Sequence, residues 1–119
     1  MKNILLLERN LFFSTPLIRQ LKSWGYQADA VSSSLALKDK LNKDTVAIIL
    51  NLFSADENVP QIIKNLKENS ETSLIPLISF SGHKDQSLMQ KAIENGCDKV
   101  VTNFIITHQL SEILKEFNL

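Results

Sequence analysis

The strongest constraint on this chain is the placing of four short apolar runs, Ile4–Leu7, Val46–Leu50, Leu74–Phe80 and Val100–Val101. Runs of this length read as strands buried on both faces. A fifth segment, Tyr26–Val31, alternates Tyr26, Ala28 and Ala30 with Gln27 and Asp29, as a half-exposed edge strand does. The gaps carry helical periodicity. Phe13, Leu17, Leu21 and Trp24 share one face of a helix that Gly25 can terminate. Trp24 is therefore expected in the core. Pro16 removes a backbone donor inside that helix, so the helix either starts late, with Thr15 as N-cap and Pro16 at its first position, or bends there. Ser33 or Ser34 can cap a helix carrying Leu37 and Leu41, and Pro60 can open one with Ile63 and Leu66 inward. Leu88, Ala92 and Ile93 mark a fourth helix ending at Gly96. Thr107 can cap a fifth with Leu110, Ile113, Leu114 and Phe117 inward.

Strand and helix therefore alternate five times. That pattern implies a parallel sheet with helices on both faces, and right-handed crossovers make it a three-layer, doubly wound α/β sandwich. No linker or low-complexity segment divides the chain, so one domain over residues 1–119 is expected.

Charge and cysteine usage narrow the function classes. The formal net charge of zero gives no basic excess of the kind that drives nucleic-acid binding through counterion release. No apolar run approaches the roughly 20 residues that span a bilayer. The N-terminal run breaks at Glu8-Arg9 without a small-residue cleavage site, unlike a signal peptide. Cys97 is the only cysteine, which excludes an intrachain disulfide and suits a cytoplasmic protein. The three glycines, Gly25, Gly82 and Gly96, form no phosphate-cradling loop. His83 and His108 lack metal-ligand spacing, and Cys97 reads as a packed thiol rather than a nucleophile.

In doubly wound folds ligands bind at the carboxyl ends of the strands. Those ends hold Glu8-Arg9, Asn51, Ser81-Gly82 and Thr102-Asn103. Taken in order, Ile4-Leu5-Leu6-Leu7-Glu8-Arg9, Val46-Ala47-Ile48-Ile49-Leu50-Asn51, Ile75-Pro76-Leu77-Ile78-Ser79-Phe80-Ser81-Gly82 and Ala92–Asn103 resemble the receiver domain of bacterial two-component response regulators over essentially the whole chain. The resemblance implies a flavodoxin-like (βα)5 fold with strand order 2-1-3-4-5. It also implies a signalling role executed through a protein partner.

The departures from that family are concentrated at its working positions. By the resemblance, the first strand should end in two acids that hold Mg²⁺; here it ends in Glu8 and Arg9. The third should end in the phosphoacceptor Asp, and carries Asn51. The Lys of the fifth strand is Asn103, followed by Phe104 in place of Pro. Ser81 keeps its type. A neutral amide forms no acyl phosphate, and one carboxylate beside a guanidinium is a poor site for a hard cation. The aromatic relay position is Val100. Glu8, Arg9, Asn51, Ser81 and Asn103 are thus expected to form a degenerate phosphorylation pocket, without catalytic residue, metal or cofactor. Arg9 is expected to reach toward the vacated site and satisfy Glu8, Asn51 or a carbonyl. Asp56 and Glu57 lie in the following loop and are weaker candidates for a substitute acceptor than for solvated loop residues or the acidic first turn of the next helix.

The expected function is that of a pseudo-receiver, a phosphorylation-independent protein–protein interaction module. The alternatives are an atypical receiver phosphorylated at Asp56 or Glu8, or a sensor that takes a small ligand in the vacated pocket. The family commonly binds through its fourth helix, fifth strand and fifth helix, which here present Lys91, Lys99, Phe104, His108 and Glu112. The expected partner is a signalling protein or a second copy of the chain, with no nucleic acid and no membrane.

Overall fold

The computed structural model describes residues 1–53 and 57–119. Five parallel strands form one sheet in the order β2-β1-β3-β4-β5, the order that the resemblance implies. The strands are β1 (Asn3–Leu7), β2 (Gln27–Val31), β3 (Thr45–Asn51), β4 (Leu77–Ser81) and β5 (Lys99–Thr102). The helices are α1 (Leu11–Ser23), α2 (Ser34–Lys40), α3 (Val59–Glu68), α4 (Gln86–Glu94), α5 (Asn103–His108) and α6 (Leu110–Glu116).

Strand periodicity divides the core into two layers. Ile4 and Leu6 of β1, Ala47 and Ile49 of β3, and Ile78 and Phe80 of β4 pack on one face with Leu17 and Leu21 of α1 and Leu110, Ile113 and Leu114 of α6. Leu5, Leu7, Ile48, Leu50 and Leu77 pack on the other with Leu37 of α2, Ile62, Ile63 and Leu66 of α3, and Ala92 of α4. The central strands lack a polar face because both of their faces are covered.

Helix ends follow local chemistry. Ser33 Oγ accepts from Ala36 N at 3.1 Å and caps α2. Asn58 caps α3, with Pro60 in its first turn, where no amide hydrogen is needed. Gly25 and Gly96 take φ of +92° and +99° and close α1 and α4. Around each, the two amides that follow the cap bond back into the last turn: Gly25 N to Lys22 O and Tyr26 N to Leu21 O, Gly96 N to Ile93 O and Cys97 N to Ala92 O.

Several expectations are corrected. Of the two readings for Pro16, the late start with Thr15 as N-cap fails: α1 starts at Leu11, where Asn10 caps it through Phe12 N, and Pro16 lies inside the helix. Trp24 is 44% exposed, since it occupies the C-cap, where the backbone leaves the helical path. Ile93 is also exposed, because the α4 side that meets the sheet is centred on Ala92. Strand β4 begins at Leu77 instead of Leu74. Leu74 is 93% exposed and belongs to the turn before the strand. The last helical segment begins at Asn103, capped by Thr102 through Ile105 N, and is divided at Gln109. Thr107 sits inside α5 and bonds back to the Asn103 and Phe104 carbonyls at 3.0 Å each. On the edge strand, Ala28 and Val31 are buried while Ala30 faces solvent.

A polar cinch joins α3 to the start of β4 and the α4–β5 turn. Lys67 Nζ lies 2.6 Å from Asp98 Oδ2 and donates to the Ser73 and Ile75 carbonyls, while Leu77 N donates to Asp98 Oδ2 at 2.7 Å. These bonds satisfy backbone groups at the point where the chain re-enters the sheet.

Candidate functional site

Strand register brings the candidate residues together. Leu7 of β1 pairs with Leu50 of β3, so the next residue of each strand, Glu8 and Asn51, lies side by side at the carboxyl edge. Both continue the face that Ile4, Leu6, Ala47 and Ile49 turn toward α1. Phe80 of β4 pairs with Val101 of β5, and Asn103, two residues past Val101, falls on the same side. Ser81 has the opposite parity. It is buried, its Oγ donates to the Gly82 carbonyl at 3.2 Å, and it is not among the residues lining the cavity.

That cavity has a volume of about 370 Å³ and is lined by Glu8, Arg9, Asn10, Phe13, Asn51, Phe53, Gly82, Asp85 and Asn103. Glu8 is 5% exposed. Its Oε2 accepts from Asn51 Nδ2 at 2.6 Å, and its Oε1 accepts from the Asn10 backbone at 2.9 Å. Asn51 Oδ1 in turn accepts from Phe53 N at 2.9 Å. With a donor on one side and a carboxylate on the other, the Asn51 amide has one satisfactory orientation. The charged bond to Glu8 is of the strong class.

The carboxylate is satisfied by the Asn51 side chain and the Asn10 backbone. Arg9 lines the cavity at its exposed mouth. Four cavity residues, Asn10, Phe13, Phe53 and Asp85, were not expected there from the sequence. Asp85 stands at the N-cap of α4 without capping it through its side chain, and nothing in the local pattern separates it from a solvated turn residue.

Among the described residues no group of three or more His, Cys, Asp or Glu side chains is placed to hold a metal ion. The position that should offer a second acid offers a guanidinium. The position that should offer an acceptor carboxylate aims an N–H at Glu8. Hard cations need several oxygen ligands free to coordinate; here Asn51 holds by hydrogen bonding the carboxylate that a metal would hold by coordination.

The other candidates are dispersed. Glu57 lies away from the cavity: its carboxylate accepts from Ser34 N at 2.8 Å and from Ser34 Oγ at 3.3 Å, at the start of α2. It thus serves the N-terminus of α2, not that of α3. Asp56 lies outside the described residues. Cys97 Sγ is 2.9 Å from Ser79 Oγ and donates to the Leu77 and Lys99 carbonyls. Burial pushes its thiol pKa up, outweighing the hydrogen bonds that lower it, so it is a packed thiol and not an activated one. Val100, at the relay position, is half-buried against the second core layer.

On the surface Phe104 is 63% exposed. Its ring stacks on His108 with centroids 4.2 Å apart and an interplanar angle of 17°. Glu112 is exposed nearby, and Lys99 is tied to Glu116 at 3.1 Å. Lys91 sits on the outer side of α4, exposed.

No family model and no curated protein sequence matches the chain. Solved structures do. The receiver domain of the TMAO respiratory system response regulator TorR is 22% identical, with 99% of this chain and 94% of that one covered at a TM-score of 0.83. A putative response regulator from Chloroflexus aurantiacus is 16% identical over 97% and 95%, with a TM-score of 0.85. The receiver domain of the sensor histidine kinase PA1611 from Pseudomonas aeruginosa, which has a magnesium ion coordinated in its active-site cleft, is 18% identical over 97% and 95%, with a TM-score of 0.82. The chain has the fold of a response-regulator receiver domain, and the cavity at the carboxyl edge of its sheet is where that fold places its ligand site.

Proposed function

We propose that this chain is a pseudo-receiver: a non-enzymatic, cytoplasmic signalling module that acts by binding a protein partner and takes up no phosphoryl group at the end of β3. The observation that carries this reading is the 2.6 Å hydrogen bond from Asn51 Nδ2 to the buried Glu8 carboxylate. It engages the Glu8 carboxylate from within the pocket, and an amide at position 51 offers no nucleophilic carboxylate there. Among the described residues no helix is long and apolar enough to cross a membrane.

The proposed interaction face comprises Lys91, Lys99, Phe104, His108 and Glu112. Its support is Phe104, a large apolar side chain left in solvent, as in the anchor of a binding patch. The charges around it are mixed, as in a transient polar interface. A signalling protein or a second copy of the chain would suit this face.

Incubation with acetyl phosphate and Mg²⁺, followed by intact mass spectrometry at neutral pH, tests the central claim. The expected result is no added phosphoryl group; stoichiometric labelling at any carboxylate refutes it. The 370 Å³ cavity supports a second reading, a small polar ligand held among Asn51, Asp85 and Asn103. A saturable rise in melting temperature with a small-molecule set would favour it.

A further inference from the structure

Exposed apolar side chains gather where α1 meets α5. Leu11 is 74% exposed and Phe12 78%; with Pro16 and Phe104 they line an open hollow that contains no charged side chain. Monomeric proteins rarely leave such surface in water without a use for it. The exposed aromatics are also held in place. Phe12 meets Phe13 edge-on at 5.6 Å, and Phe13 reaches the core at Phe80. Phe104 stacks on His108, whose Nδ1 lies 2.9 Å from the Phe104 carbonyl and 2.9 Å from Thr107 Oγ1. Gln20 Nε2 donates to the Thr107 carbonyl at 3.2 Å and ties the two helices together. Fixing these side chains beforehand lowers the ordering cost of covering them.

The charges that flank the hollow indicate what covers it. Helix α1 contains Arg19 and Lys22 and no acid; α6 contains Glu112 and Glu116 against one Lys115. Both α1 and α5 start from the carboxyl edge of a parallel sheet, so they run in the same sense. Each presents its apolar residues at that edge, Phe12 and Phe104. Two turns past Phe12 on α1 stands Arg19, and eight residues past Phe104, across the break at Gln109, stands Glu112 on α6, both exposed. A two-fold axis parallel to the helices lays α1 of one copy on α5 and α6 of the other. It sets Phe12 against Phe104 twice and Arg19 against Glu112 twice. Self-complementarity of this kind is what an isologous interface requires and what an unrelated partner does not.

We infer that the α1–α5 face is a two-fold homodimer interface, with Phe12 and Phe104 at its centre and an Arg19–Glu112 pair at each end. This rests on reading the chain as an interaction module and names the partner as a second copy. Sedimentation velocity on the full chain from about 1 µM to about 1 mM covers the affinity range of weak to moderate dimers. The expected result is a concentration-dependent monomer–dimer equilibrium. Phe12→Asp, and independently Leu11→Lys, should raise the dissociation constant at least about tenfold while leaving the circular dichroism spectrum unchanged. Arg19→Glu should also weaken the dimer, and Arg19→Glu with Glu112→Arg should restore it. A chain that stays monomeric throughout refutes the inference. So does a dimer indifferent to both apolar variants, or a charge exchange without rescue. A monomeric result leaves the phosphorylation reading untouched, because mass spectrometry measures that separately.

Discussion

Exchanging the Asn51 amide for a carboxylate changes few atoms and should cost much. Asn51→Asp removes the donor that the buried Glu8 carboxylate uses at 2.6 Å. A hydrogen bond to a charged group contributes about 1.5–3 kcal/mol. In its place two carboxylates meet at the same separation, where unit charges repel by about 6 kcal/mol at an effective dielectric of about 20. The pair can avoid that repulsion by retaining one proton. Holding a proton on an ordinary carboxyl group at pH 7, about three units above its reference value, costs about 4 kcal/mol, so this sets the ceiling. Part is recovered through the acid–carboxylate hydrogen bond that then forms. The expected destabilisation is about 3–4 kcal/mol at pH 7.

Its pH dependence carries a definite sign. The folded variant binds a proton that the unfolded chain has released, so its stability relative to wild type falls with rising pH, by about 1.4 kcal/mol per unit between roughly pH 4 and 7, and recovers on acidification. Urea denaturation at several pH values reads both quantities. Glu8→Gln combined with Asn51→Asp exchanges donor and acceptor and keeps every bond of the network, including those from Asn10 N and Phe53 N. It should return the pH 7 stability to within about 1 kcal/mol of wild type. Added Mg²⁺ should not rescue the single variant, because Arg9 still lines the cavity. A single variant within about 1 kcal/mol of wild type at pH 7, with no pH dependence, would show that the Glu8–Asn51 bond does not hold this pocket together.

Other perturbations test the surrounding structure. Phe104→Ala should cost less than about 1.5 kcal/mol in denaturant melts, because the ring is largely in solvent and loses mainly its stack on His108; a loss of about 3–5 kcal/mol would place it in the core. Asp98→Asn should destabilise by about 2 kcal/mol, since one carboxylate serves both Lys67 and Leu77 N; an unchanged midpoint would make the cinch a surface ornament. Burial raises the Cys97 thiol above its ordinary 9.0. The stability that this contributes is present below that value and is lost as pH rises through the folded one. Wild type should thus lose stability on alkalinisation faster than Cys97→Ala, and parallel profiles would contradict that.

The order of strands and helices was legible in the sequence because it is written locally. Apolar runs such as Val46–Leu50 have nowhere to go but a covered strand. Ser33, Gly25 and Gly96 mark helix ends through bonds to residues a few positions away. The identity of the strand-end residues also set the expectation about chemistry, since a neutral amide stands at position 51 wherever it points. What the amide does instead was not legible. Its bond to Glu8 spans 43 positions and depends on the pairing of Leu7 with Leu50, which no local signal sets. Helix faces show the same limit. Trp24 and Ile93 keep helical spacing with buried residues yet stand in solvent: Trp24 sits at the C-cap, past the helical path, and for Ile93 spacing defines a stripe on the helix while the angle at which the helix meets the sheet decides how much of it is covered. Phe104 could have plugged the pocket or faced outward. Capping by Thr102 starts α5 immediately after β5 and turns that ring outward to meet the exposed end of α1. Chain-local chemistry determined the elements; register and docking angle, fixed by packing between distant segments, decided which side chains meet in the pocket and which apolar surface is left exposed.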